Sequence, residues 1–213
     1  MDNKKVTKII KELKNIYPNP KIELENWENP FQLMVAVILS AQSTDISVNK
    51  VTKKLFEKYG TIKKLATADN LEVEKYISSI NYYKTKAKRI VNASSFIMSE
   101  LDNRLPQTIT EWTNVPGIGR KSANVMLSVQ SLQPEGVVVD THVSRVSYRL
   151  GLTTETKNAI KIENELKKII PKKEWEYISK AVVLYGRYIC KAKKPQCNEC
   201  KLKDICIYYK EQK

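Results

Sequence analysis

Val115-Pro-Gly-Ile-Gly-Arg-Lys-Ser-Ala-Asn-Val-Met-Leu127 breaks regular structure at Pro116, Gly117 and Gly119, then resumes with good helix formers from Arg120. Ala123, Val125, Met126 and Leu127 supply an apolar face, so the segment reads as a tight turn that opens a helix. Upstream, Thr108 to Thr113 can form another short helix with Thr108 as its N-cap. The unit is a helix, a glycine hairpin and a helix. Glycines at 117 and 119 let a ligand approach the backbone closely, and the N–H groups at a helix start lack intrahelical partners. Together they make an anion site suited to phosphate.

The charge balance points the same way. Lysine and arginine number 37 against 23 acidic residues, a net charge of +14, which favours a polyanionic partner: DNA, RNA or an anionic membrane surface. A solvated lysine-rich surface is the plainer alternative. Met1-Asp-Asn-Lys-Lys leads into an amphipathic pattern and not into a secretory signal, and the most apolar run, Phe31 to Leu39, falls far short of a membrane span. The expectation is an intracellular protein without a membrane partner, cytoplasmic and nucleoid-associated if bacterial, acting as a monomer.

Around the hairpin the periodicity is helical throughout. Val6, Ile9, Ile10, Leu13 and Ile16 recur at helical spacing before Tyr17-Pro-Asn-Pro20 ends the pattern. Phe31 to Leu39 is apolar on nearly every side and predicts a helix buried inside a lobe. Ser43 or Thr44 can cap the next helix, with Asp45 as a first-turn acid and Gly60 at its end. Short helices are predicted over 62–66 and 71–79, longer ones over 85–101 and 141–150, then 154–170 and 174–189. Asp140 stands where the cap of the 141–150 helix belongs, and His142, the only histidine, reads as structural. No run of strands appears, so the fold class is all-α.

Cys190, Cys197, Cys200 and Cys206 crowd into one short loop-rich segment, which in a reducing compartment argues for metal ligation over disulfides. Four thiolates can hold a tetrahedral zinc or a cubane iron-sulfur cluster, and composition does not separate them.

The hairpin, Lys121, Asp140 within Val139-Asp140-Thr141-His142, and the 6-2-5 spacing of the cysteines after Gly186-Arg187-Tyr188 resemble the endonuclease III family of helix-hairpin-helix DNA glycosylases, over almost the whole chain. The resemblance implies a lobe over 22–132 with six helices in a barrel-like arrangement, and a second over 1–21 and 133–213 with a [4Fe-4S] cluster, flanking a DNA-binding cleft. It implies double-stranded DNA with a damaged base or abasic site as partner and Lys121 and Asp140 as the catalytic pair. Gln42, in Leu39-Ser-Ala-Gln-Ser-Thr-Asp45, would fill the gap left by the extruded nucleotide. Gly117, Gly119 and Arg120 would lie at the phosphate, and Lys191, Lys193 and Lys194 would meet the backbone from a loop held in shape by the metal site. Where the family's bend carries a glycine and an apolar wedge, this chain has Asn81 and Tyr82, and Tyr82 offers a ring for base stacking.

The chemistry demands an uncharged amine. A free lysine, with a pKa near 10.4, is neutral in roughly one molecule in a few thousand at pH 7. The first-turn helix dipole disfavours the ammonium by only about 0.3–1 kcal/mol. Desolvation can lower a lysine by up to about 3–5 pKa units, so a partly dry cleft is the expected larger effect. Asp140 stabilises charge and is assigned to proton transfer and to support of the cationic sugar. The implied activity is a bifunctional glycosylase and abasic-site lyase acting on oxidised pyrimidines through a lysine Schiff base. Two alternatives are a monofunctional adenine-mismatch glycosylase, whose branch lacks the lysine, and a non-enzymatic DNA-binding module with a metal staple.

Overall fold

The computed structural model describes residues 3–212, and every regular element among them is helical. In chain order they are α1 (Asn3–Ile16), α2 (Pro30–Ser40), α3 (Asp45–Tyr59), α4 (Ile62–Ala66), α5 (Asn70–Ile77), α6 (Tyr83–Glu100), α7 (Ile109–Asn114), α8 (Arg120–Val129), α9 (Thr141–Arg149), α10 (Ala159–Ile169), α11 (Trp175–Tyr188) and α12 (Ile207–Lys210). Short 3₁₀ turns occupy Lys172–Glu174 and Lys203–Ile205. Ile22–Leu132 forms one unit, and the described chain on both sides of it forms the other.

The first unit is built on α2. A helix without a polar face has to be covered all round, and Phe31, Leu33, Met34, Val35, Ile38 and Leu39 are all buried, with α3, α6 and α8 packed against it. Pro30 sits where a missing N–H costs nothing, and the Asn29 side chain caps the helix by accepting from the Gln32 N–H. Thr44 rather than Ser43 caps α3, accepting from Ser47 N–H, with Asp45 in its first turn. The unit holds seven helices, α2 to α8, against the six implied by resemblance, the shortest being the five-residue α4, capped by Thr61. Tyr82, left-handed at φ 57°, sets the start of α6, two residues earlier than the 85–101 pattern indicates.

In the second unit, Val6, Ile9 and Leu13 of α1 are buried, and α1 and α9 both pack on α11. The α9–α11 crossing depends on Gly186, where an added Cβ would lie 2.8 Å from the Cβ of His142. His142 Nδ1 lies 3.2 Å from Arg145 Nη2, which can only donate, so this ring nitrogen is the acceptor. α10 departs from the sequence reading. The 154–158 stretch is not helical, because Glu155 Oε1 accepts the N–H groups of Thr156, Lys157 and Asn158, folding the backbone into a turn. Asn158 then caps a helix that begins only at Ala159.

Candidate active site

The hairpin is anchored from below. Trp112 of α7 is fully buried and donates from Nε1 to Gln130 Oε1 at 3.1 Å, while Gln130 Nε2 donates to Pro106 O. Val115 and Ile118 are buried, and the Ile118 N–H closes the turn onto Val115 O at 3.1 Å. Gly117 is left-handed at φ 86°, whereas Gly119 is extended, with open space where a Cβ would stand. The two glycines therefore serve different ends: one turns the chain, the other keeps a face clear. Gly119 is also the N-cap of α8 and has no side chain to offer, so the first turn, with Arg120 and Lys121, carries no side-chain cap.

Lys121 is exposed.

In the same unit, the two loops singled out by sequence come together. Gln42 is left-handed at φ 54° and exposed, and Tyr82, at φ 57°, is 66% exposed. Asn81 Nδ2 donates to Gln42 O at 3.1 Å, joining the bend to the glutamine loop. A non-glycine residue in this region costs of order 1 kcal/mol and persists only when its surroundings hold it.

Asp140 caps α9: Oδ1 accepts from His142 N–H and Val143 N–H, each at 2.8 Å. Both bonds fall on Oδ1, so capping fixes the carboxylate without consuming Oδ2. Asp140 also lines an open groove of about 630 Å³ with Arg145, Tyr148, Arg149 and Tyr208.

From the same helix two arginines, missed by the sequence reading, reach the cysteine segment. Arg145 donates to Gly186 O and Cys190 O, and Arg149 donates to Lys191 O at 2.7 Å and Ala192 O at 3.1 Å. The Arg149 guanidinium stacks over Tyr208 at 4.2 Å and places Nη1 3.4 Å from Cys190 Sγ. The basic loop is thus held by α9 as well. Lys191, Lys193 and Lys194 are all exposed on it.

The four cysteines are free thiols lining one small recess with Leu150, Tyr185 and Tyr209. Tyr185 OH lies 2.7 Å from Cys200 Sγ, and burial followed by this contact pushes its phenol above the usual tyrosine range. Burial pushes the Cys197 and Cys206 thiols up, and neighbouring thiolates add to the effect. Among the described residues, no three cysteine, histidine or acidic side chains gather as ligands of one metal ion.

A helical chain whose glycine hairpin presents an uncapped helix start belongs, in class, with helix-hairpin-helix proteins, and residues 35–172 match the HhH-GPD superfamily of base excision DNA repair proteins. The endonuclease III of Synechocystis sp. is 44% identical over 202 residues, 95% of this chain and 91% of its own length. That of Bacillus subtilis is 40% identical over 192 residues, 90% of this chain and 87% of its own. A solved structure of a trapped endonuclease III–DNA covalent intermediate with an estranged adenine superposes at a TM-score of 0.92, with 39% identity, covering 100% of this chain and 99% of that one. The chain belongs to the endonuclease III family, and its activity is that of a bifunctional DNA glycosylase and abasic-site lyase of base excision repair. Among the described residues, no helix is long and apolar enough to cross a membrane.

Proposed function

We propose that the chain removes oxidised pyrimidines from double-stranded DNA, with Lys121 as nucleophile and Asp140 as the proton-transfer group. The observation that carries this reading is the α8 start: a clear, uncapped helix terminus with a lysine in its first turn. A phosphate held at Gly117, Gly119 and Arg120 brings the adjacent nucleotide to the amine. The nucleotide leaves the base stack, Gln42 takes its place in the duplex, and Tyr82 stacks against the disturbed step. Lys191, Lys193 and Lys194 contact the backbone and set the register. The bound DNA covers the exposed Lys121 and displaces water from around it.

The neutral amine donates its lone pair to the sugar C1′, and the bond to the base breaks with its electron pair going to the base, which takes up a proton. Asp140 stabilises the positive charge on the sugar and carries the proton from the amine. The C1′–O4′ bond then breaks as the nitrogen lone pair forms the C1′=N bond, O4′ takes up the proton that Asp140 carries, and a Schiff base joins Lys121 and C1′. Loss of a C2′ proton then expels the 3′ phosphate, cutting the strand by β-elimination.

Cys190, Cys197, Cys200 and Cys206 would hold a [4Fe-4S] cluster. Their chemistry fits: all four thiols line one recess, and four thiolates are the donor set a cubane cluster takes. When bound, the cluster gives the loop a fixed frame and takes no part in the bond-breaking steps.

The test is borohydride reduction of the protein mixed with abasic-site duplex. A covalent adduct is expected, and Lys121→Ala should abolish it. Asp140→Asn should slow base release while retaining the fold, since asparagine caps helices about as well as aspartate. An adduct of undiminished yield in Lys121→Ala would place the nucleophile elsewhere.

A further inference from the structure

Lys86 is 2% exposed, embedded in α6 among residues that build the core of its unit. Its ammonium donates to the Ser43 hydroxyl, 2.7 Å from Nζ. Burial, together with the charge of Arg89, pushes this ammonium below the usual lysine range, and among the described residues no carboxylate is paired with it. An apolar side chain of similar volume would ordinarily serve stability as well or better, so a buried cation here points to a role beyond the core.

What it touches gives the role. Ser43 follows Gln42 directly, and the Ser43 N–H is tied back to Ser40 O at 3.0 Å. On the other side, Asn81 Nδ2 holds Gln42 O at 3.1 Å. The left-handed backbone of Gln42 is therefore gripped from both flanks while its side chain stays exposed.

We infer that Lys86 is a positioning residue for base excision: through Ser43, and together with Asn81, it fixes the loop that presents the Gln42 amide to the duplex. The inference rests on the reading of Gln42 given above. Lys86 touches no reacting atom; it sets where the gap-filling side chain stands before DNA arrives, so that the ordering of the loop is not charged against binding.

A double-mutant cycle in single-turnover base release from a duplex with one oxidised pyrimidine tests it. Gln42→Ala alone should slow release. Lys86→Met should give a roughly tenfold loss, within the range of couplings between contacting residues, with an unchanged or raised melting temperature. In the Gln42→Ala background the same substitution should cost less than about twofold, since the positioned side chain is already gone. Equal losses in both backgrounds overturn the proposal and leave the Gln42 reading standing. If Gln42→Ala releases base at the full rate, the Gln42 reading falls and takes the proposal with it. Asn81→Ala, at an exposed position that leaves the core untouched, runs through the same cycle should Lys86→Met fold poorly, and additivity there overturns the proposal equally.

Discussion

Gly117 and Gly119 differ in what they forbid. At φ 86°, Gly117 holds a backbone conformation that any Cβ strains, although the surrounding space, 3.6 Å from Arg89 Cβ, would accept one. Gly117→Ala should therefore destabilise the fold by about 1 kcal/mol or more, read as a lower urea midpoint. Gly119 has the reverse character, extended and facing nothing within 4 Å. Gly119→Ala should fold as well as the natural chain, yet its methyl intrudes where a phosphate must approach. The loss of a charge-assisted backbone bond would weaken abasic-duplex binding roughly tenfold or more. Unimpaired binding by Gly119→Ala would remove the hairpin from phosphate contact. Hairpin, Lys121 and Asp140 were legible in the sequence because each belongs to a short local pattern of turn, first turn or cap. Lys86 was not: set between Thr85 and Ala87 in a lysine-rich helix it reads as one more solvated charge, and its partner Ser43 is distant in the chain.

At the scale of elements, apolar periodicity placed most helices within a few residues, since packing acts on the faces that periodicity describes. It failed over 154–158, where the deciding interaction is a side chain competing with helical hydrogen bonds. Three backbone N–H groups on the Glu155 carboxylate hold its pKa below the ordinary glutamate range. A folded-state value below the unfolded one contributes stability above the unfolded pKa, and that contribution is lost as pH falls through the folded pKa. Glu155→Gln keeps an acceptor of the same shape and removes only the charge. Its melting temperature should lie below that of the natural chain at pH 7, the gap should begin to narrow below about pH 4.3, and it should close once the carboxylate is protonated in the fold. A gap independent of pH would mean that shape, not charge, holds the turn. The Arg145 and Arg149 anchors escaped notice for the related reason that nothing local distinguishes an arginine aimed at a carbonyl some forty residues on from one in solvent.

For the molecule as a whole, a net charge of +14 says that a polyanion is welcome but not where it lies. Salt dependence separates the two, because only a cation that neutralises a phosphate releases a counterion on binding. Affinity falls with salt at a slope of about −0.9 per phosphate contacted. The loop bearing Lys191, Lys193 and Lys194 is gripped at its backbone by Arg149 and keeps these residues exposed, so its charges are fixed in place and not merely tethered. If all three meet phosphates, replacing them together by alanine takes the net charge from +14 to +11 (14 − 3) and should flatten the log–log slope by roughly 2.7. Three lysines that only add to the surrounding potential would lower affinity at low salt and lose that effect as screening sets in, with a much smaller change of slope. Titrations of abasic duplex at several salt concentrations, with the four thiols left untouched, distinguish these outcomes. A slope unchanged by the triple substitution returns the loop to solvent and leaves the hairpin as the principal hold on the backbone.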